Sequence, residues 1–259
     1  ACSVEPYLNC GNCHACGIGK PNCCENIAVL GVHTDGGMQP TLVVPADKLH
    51  CGNGLTFEQL ALVEPLAIGG HAVERAAPGA GDRVLVIGAG PIGLSTLPFL
   101  KQCGVDYAVM DVSDSRLQFC RDKMGTEQLI QAGGNSVETL LRDWTGGQLP
   151  DVIIDATGNR DSMRQTFQIA AHGARIVFVG LFQGELAFDD PNFHRRELTL
   201  MGSRNALPQT FNDIIEAIAS GSIDTQPWIT HRIELDAVPS QFPQLIQSSG
   251  LLKGVIVCD

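Results

Sequence analysis

The sequence predicts an α/β protein in which a doubly wound parallel sheet follows a smaller, loop-rich β region. Three observations carry this expectation. Short apolar runs alternate with helical spacings from Arg83 to Met201. A glycine-rich turn joins the first of those runs directly to the helix after it. Five of the ten cysteines crowd into residues 10–24, far from the alternating part.

The chain up to about Gly54 is rich in Gly, Cys and Pro, shows no helical period, and reads as loops hung on a sheet with one strand over 41–44. From Phe57 the spacing of Leu60, Leu62, Val63, Leu66 and Ile68 is helical, and Gly79-Ala80-Gly81-Asp82 then forms a turn. Strands follow over 83–87, 107–110, 128–130, 152–155, 175–179 and 197–201, with helices over 92–102, 114–123, 137–144 and 161–171 between them. Wholly apolar strands separated by helices are strands buried on both faces, which means a parallel sheet with right-handed crossovers. A helix over 207–219 leads to a tail whose last strand, 254–258, has no helix after it and is expected to return to the first region. The expected domains are therefore 1–66, 67–221 and 222–259.

Composition narrows the function. A net charge of -11 repels a phosphate backbone, and His194-Arg195-Arg196 is too short a basic cluster to reverse that field, so nucleic acid is not an expected partner. No apolar run is long enough to span a bilayer, so no membrane role is expected. No basic segment followed by an apolar one opens the chain, and the expected compartment is the cytoplasm.

Gly88-Ala89-Gly90-Pro91-Ile92-Gly93 follows the strand over 83–87 and opens a helix, the setting of a Rossmann dinucleotide site. Gly88 permits the turn, Gly90 lets backbone approach a pyrophosphate, and Gly93 lets helix and strand pack closely. Pro91 and Ile92 begin the helix whose free N–H groups and dipole face the phosphates. Asp111 ends the next strand; its carboxylate accepts hydrogen bonds from a ribose diol and repels a 2′-phosphate, which favours NAD over NADP. Arg116, close by, is the residue that offers a 2′-phosphate a partner. Thr157, after the strand over 152–155, and Val179-Gly180-Leu181, after the strand over 175–179, lie at the carboxyl edge and are weaker cofactor candidates.

Cys10-x2-Cys13-x2-Cys16-x7-Cys24 offers four thiolates in one loop, enough to close a tetrahedral zinc shell with no open position. Such a zinc is structural, and its gain is folding energy for a segment poor in core residues. An iron–sulfur cluster lacks its Cys-x3-Cys-Pro continuation here. Spacing alone does not choose between Cys23 and Cys24 for the fourth place.

A four-cysteine lobe, then Val63-Glu64-Pro65-Leu66, then the glycine turn resembles the zinc-dependent medium-chain dehydrogenases, the group of alcohol, sorbitol and threonine dehydrogenases. Within it the chain looks closest to sugar-acid dehydrogenases of the L-galactonate type, on 31–37 (GVHTDGG), 155–159 (DATGN), 178–186 (FVGLFQGEL) and 201–206 (MGSRNA). The resemblance implies a GroES-like β catalytic domain, incomplete here, joined to the Rossmann domain. It picks Cys24 as fourth ligand. It makes Glu64 the catalytic-zone candidate, at or beside a catalytic zinc, where the residues alone read it as a helix-start carboxylate. It also sets His71 near the cofactor. Arg204 and Asn205, after the last sheet strand, become candidates for a substrate carboxylate.

The family's Cys-Gly-x-Asp segment and Gly-His-Glu motif, which supply catalytic-zinc ligands, do not occur in this sequence. The chain is then either a fragment or a protein without that metal, and catalytic zinc is expected only in an intact parent. In place of the family's usual aromatic and Glu-Tyr stand Met38-Gln39-Pro40-Thr41, and Pro40 removes a backbone donor. The implied function is hydride transfer from a secondary alcohol of a sugar acid or polyol to NAD. The alternative is an NAD-binding module without chemistry; a zinc-free quinone reductase is disfavoured by the lobe, Glu64-Pro65 and Asp111. The apolar edge strand over 197–201 implies a homodimer or homotetramer.

Overall fold

The computed structural model describes residues 1–133, 136–248 and 250–258, and resolves into two compact units, Ala1–Ala67 with Asn205–Asp259, and Ile68–Arg204. In the first unit, β1 (Cys2–Val4) and β4 (Leu49–Cys51) pair antiparallel, as do β2 (Tyr7–Leu8) and β3 (Ala28–Val29). The helix Phe57–Ala61 starts at Thr56, whose side chain accepts from the amide of Gln59 while Gln59 reaches back to the Thr56 amide, a reciprocal capping box. The expected strand over 41–44 does not form: the segment has no pairing partner, Val43 is 91% exposed, and Pro40 and Pro45 flank it.

The second unit is the six-stranded parallel sheet. Its strands are β5 (Arg83–Ile87), β6 (Asp106–Asp111), β7 (Gln128–Gln131), β8 (Val152–Asp155), β9 (Arg175–Phe178) and β10 (Thr199–Gly202), in the spatial order β10-β9-β8-β5-β6-β7. The order reverses at β5, which pairs with β6 on one side and β8 on the other. That reversal opens a crevice at the carboxyl ends of β5, β6 and β8. Leu85, Ile87, Ala108, Met110, Ile153 and Ile176 form its core with Leu141 and Phe167 from the helices. Helices Val63–Ala76 and Pro91–Cys103 cross so closely that a Cβ on Gly69 would lie 2.2 Å from Ser95 Oγ. The last strand begins later than expected because Glu197 takes a left-handed φ of 50°, which no strand tolerates.

The chain then re-enters the first unit. Helix Pro208–Ala219, which the sequence reading grouped with the nucleotide domain through residue 221, packs Phe211 edge-on to Tyr7 and stacks it on His50 at 4.9 Å between ring centroids. Finally β11 (Ile229–Glu234) and β12 (Lys253–Val257) pair in parallel, linked through the helix Val238–Leu245. That helix escapes a reading by propensity because Pro239 and Pro243 lie within it.

Candidate functional site

The glycine turn is built by exclusion. Gly88 adopts φ 98° and its amide donates to Met110 O at 2.8 Å, which pins the turn to β6. A Cβ on Gly93 would lie 1.7 Å from Gly88 O, so only hydrogen fits where the helix leaves the strand. Gly90 is the extended N-cap of Pro91–Cys103, with Pro91 at the first helical position, where its missing N–H costs nothing. The N-terminus therefore stands open above the crevice, presenting backbone amides to an anion.

Beside it lies a cavity of about 610 Å³, lined among others by Gly88, Gly90, Asp111, Arg116, Thr157 and Asn159. Asp111 is 6% exposed; its Oδ2 accepts from the Ala89 amide at 2.6 Å and its Oδ1 from the Ser113 amide at 2.7 Å. Two backbone donors fix the carboxylate in one orientation at the end of β6. Arg116 Nη1 is 4.0 Å from Oδ2 on a more exposed side chain, so the charge facing the cavity is a balanced pair with the acid as its anchored member.

On the other wall, Asp155 is fully buried at the end of β8. Its Oδ1 accepts from the Thr157 amide and hydroxyl, at 2.9 and 2.6 Å, and its Oδ2 from the Ser162 hydroxyl at 2.6 Å. Burial raises its pKa, against the pull of the Ser162 and Thr157 hydrogen bonds. Thr157 Oγ1 in turn accepts from the Asn159 amide, and Asn159 caps the helix Arg160–Ile169 by accepting from the amides of Asp161 and Ser162. Thr157 and Asn159 are thus held by a buried acid that never meets the cavity. A Cβ on Gly180 would lie 2.1 Å from Gly158 N, so the loop of Val179, Gly180 and Leu181 is pressed onto this turn, with Leu181 81% exposed.

In the first unit the ligand atoms of Cys10, Cys13, Cys16 and Cys24 lie within 4.8 Å of one another. Cys24 Sγ is 3.5 Å from Cys10 Sγ and 3.9 Å from Cys13 Sγ. Four sulfurs at the zinc–thiolate bond length on a tetrahedron stand about 3.8 Å apart, so these residues fit zinc. The Cys10 amide donates to Cys24 Sγ, and the side-chain amides of Asn9 and Asn26 donate to Cys16 and Cys10. The Asn12 amide, ahead of a hydrogen bond from Cys24, brings the Cys10 thiol down to about 6. For Cys24, the Cys10 amide pulls down but is outweighed by burial and the Cys10 and Cys16 thiols, leaving it at about 11. A divalent cation removes that mutual penalty. Cys23 is exposed and stays outside the group.

Glu64 sits in the first turn of Val63–Ala76, and its Oε1 accepts from the Tyr7 hydroxyl at 2.5 Å. Tyr7 is 3% exposed, and burial, followed by the charge of Glu64, raises its pKa, so it stays a donor. Behind it Glu5 meets Lys48 Nζ at 2.5 Å and His50 Nε2 at 3.2 Å, and His50 Nδ1 meets Asn212 Oδ1 at 3.0 Å. All of Glu5, Lys48 and His50 are buried.

A profile of the family described as zinc-binding dehydrogenase matches residues 91–220. The L-galactonate-5-dehydrogenase of Escherichia coli K12 is 41% identical over 255 residues, covering 98% of this chain and 75% of that protein. The chain belongs to the zinc-binding dehydrogenase family. Another relative, the 2-dehydro-3-deoxy-L-galactonate 5-dehydrogenase of Pseudoalteromonas atlantica, is 31% identical over 99% of this chain and 75% of its own length. Among solved structures, a dehydrogenase of E. coli CFT073 titled short chain alcohol dehydrogenase RspB, complexed with NADH, superposes with a TM-score of 0.92. It is 29% identical and covers 99% of this chain and 76% of that one. Membership in this family makes the α/β fold with a nucleotide domain and a zinc-binding β part that of a dehydrogenase.

The structure gathers Gly88, Gly90, Asp111, Arg116 and Thr157 around one cavity and the four cysteines into one cluster. Pro91, Ile92 and Gly93 form the helix start beside the cavity. Asn205, a substrate candidate by sequence, has a left-handed φ of 52° and donates from Nδ2 to Asn22 O at 3.0 Å, a tie within the first unit. Arg204 closes the second unit. His71 is a buried helix residue with Nδ1 3.4 Å from Glu74 Oε2. Sequence reading passed over Asn159, Asp161, Ser162 and Gln165 as cavity residues; the Asn159 cap followed by a helix start was the available signal. Tyr7 and the Glu5, Lys48 and His50 cluster carried no local signal, because their contacts span 43 residues or more. Among the described residues no helix is long and apolar enough to cross a membrane.

Proposed function

We propose that this chain serves an NAD-dependent, zinc-containing dehydrogenase acting on a secondary hydroxyl of a sugar acid or polyol in the cytoplasm. The observation that carries the reading is the anchored Asp111 carboxylate beside an open helix N-terminus in a chain 41% identical to an L-galactonate-5-dehydrogenase. Gly88, Gly90 and Gly93, with Pro91 and Ile92, receive the pyrophosphate; Asp111 accepts from the adenosine ribose diol, with Arg116 as its cationic flank. Thr157, held by Asp155, and Val179, Gly180 and Leu181 line the nicotinamide side. When bound, NAD supplies the hydride acceptor.

Cys10, Cys13, Cys16 and Cys24 hold a structural zinc. Tyr7 keeps Glu64 oriented, with one carboxylate oxygen engaged. The residues described here do not form a second metal shell: the four cysteines are the one grouping of three or more Cys, His, Asp or Glu side chains among them. Glu64 alone does not make a catalytic zinc site. The alternative reading is an NAD-binding module without chemistry. The exposed edge strand β10, with Leu200 38% exposed, supports pairing between two copies into a homodimer or homotetramer. Arg204 remains the candidate for a substrate carboxylate.

Fluorescence titration with NADH and NADPH, combined with elemental zinc analysis and turnover of L-galactonate with NAD, tests the proposal. NADH preference with about one zinc per chain and turnover supports the enzyme; binding without turnover moves the chain to the second reading. Absence of nucleotide binding by a folded chain defeats both.

A further inference from the structure

We propose that Cys2 and Cys51 form a reactive dithiol, a modification site on the open face of the β1 and β4 pair that closes to a disulfide on exchange with glutathione disulfide. The register sets Cys2 opposite Cys51, Ser3 opposite His50 and Val4 opposite Leu49. Outside the printed strand limits, the Glu5 amide donates to Lys48 O and the Gly52 amide donates to Ala1 O, both at 2.9 Å. Hydrogen-bonded and non-hydrogen-bonded pairs alternate along an antiparallel ladder. With 5 and 48 bonded, and 1 and 52 bonded, the pair of Cys2 and Cys51 is necessarily non-hydrogen-bonded.

That position brings two side chains as close as a sheet allows. Its Cα atoms stand about 4.5 Å apart, inside the span a disulfide bridges, roughly 4.4–6.8 Å. The two thiols also share a face. Ser3 and His50 point into the unit, at 4% and 6% exposure, so the alternation of side chains turns Cys2 and Cys51 the other way, and both are exposed. Cys120 is buried, Cys10, Cys13, Cys16 and Cys24 are grouped with one another, and of the exposed Cys23, Cys103 and Cys258 none stands opposite another cysteine in a described strand pair. Among the described residues Cys2 and Cys51 are therefore an accessible pair whose backbone needs no rearrangement to be joined.

The reaction is thiol–disulfide exchange in two steps. The thiolate of one cysteine attacks a sulfur of glutathione disulfide, forming a mixed disulfide and releasing one glutathione thiolate. The second cysteine gives its proton to solvent and attacks the protein-side sulfur, forming the bridge between Cys2 and Cys51 and releasing the second glutathione. Two protein thiols lose two electrons and one disulfide gains them. An exposed cross-strand bridge is readily reduced again, so the site is reversible. Its closure clips β1 to β4, the two strands that carry Ser3 and His50 into the unit.

The test is peptide mass spectrometry on the zinc-loaded chain after incubation with glutathione disulfide, with and without later reduction by dithiothreitol. The expected product is a peptide linked between Cys2 and Cys51, lighter by two hydrogens, lost on reduction, and exceeding the two separate glutathione adducts about tenfold because the second exchange is intramolecular. In Cys51→Ser, Cys2 retains glutathione instead. Separate adducts on Cys2 and Cys51 without a bridge overturn the proposal. So does a bridge from either to another cysteine or another chain, or no reaction at either thiol.

Discussion

The two units reach order by different physical routes. In Ile68–Arg204 the apolar side chains of β5, β6, β8 and β9 are almost wholly removed from water, and helices cover both faces. The lobe of residues 10–24 buries little besides Asn22 and Cys24 and is held by four sulfurs and their amide donors. A hydrophobic core is non-directional and tolerant, whereas a metal clip stands or falls on a few atoms. One molecule thus contains a part that composition alone stabilises and a part that depends on a ligand.

Withdrawing zinc should separate them most sharply. A strong chelator is expected to expose residues 10–24 to protease while the nucleotide unit keeps its circular dichroism and NADH fluorescence; structural zinc in small domains is worth on the order of 10 kcal/mol. Equal loss of both parts would erase the contrast. Next in size is Lys48→Met, which leaves the buried Glu5 carboxylate without its cation and should cost about 3–5 kcal/mol in urea unfolding. An unchanged midpoint would mean that His50 alone compensates Glu5.

Asp111→Asn probes the second unit. One of the two anchoring amides loses its acceptor and the charge goes, and NADH affinity is expected to fall roughly tenfold while the margin over NADPH narrows. A variant that keeps the full margin would shift discrimination away from Asp111. The smallest effect belongs to the surface pair of Glu58 and Arg232. The hydrogen bond from Arg232, ahead of its charge, holds the Glu58 carboxyl below its ordinary value of 4.5. A depressed folded pKa stabilises above the unfolded value and loses that contribution as pH falls through the folded one. Glu58→Gln should therefore flatten the acid limb of the melting profile slightly, and an identical limb would show the pair to be idle.

The same contrast explains what could be read from sequence. Strands buried on both faces and a glycine turn between strand and helix are local patterns, so the nucleotide unit and the place of Asp111 were legible, whereas the late start of β10, set by the backbone of Glu197, was not. The cysteine spacing was equally local. The Tyr7 and Glu64 pair, the Glu5 cluster and the membership of Phe211 in the first unit were not, because each joins residues far apart in the chain. The strand over 41–44 failed because apolar residues form a strand only where a partner pairs with them, and Val43 has none to pack on.

That separation in sequence has a kinetic side. The nucleotide unit is one continuous stretch and can complete its contacts as soon as Arg204 has been synthesised. The first unit is closed by His50 with Asn212, Asn22 with Asn205 and Glu58 with Arg232, pairs separated by 162, 183 and 174 residues. Those contacts wait until the whole intervening unit has emerged, and domains generally fold as units during synthesis. The order of assembly is thereby written into the connectivity: the nucleotide sheet forms as the scaffold of the growing chain, and Tyr7 and His50 stay uncovered until Phe211 arrives to seal them.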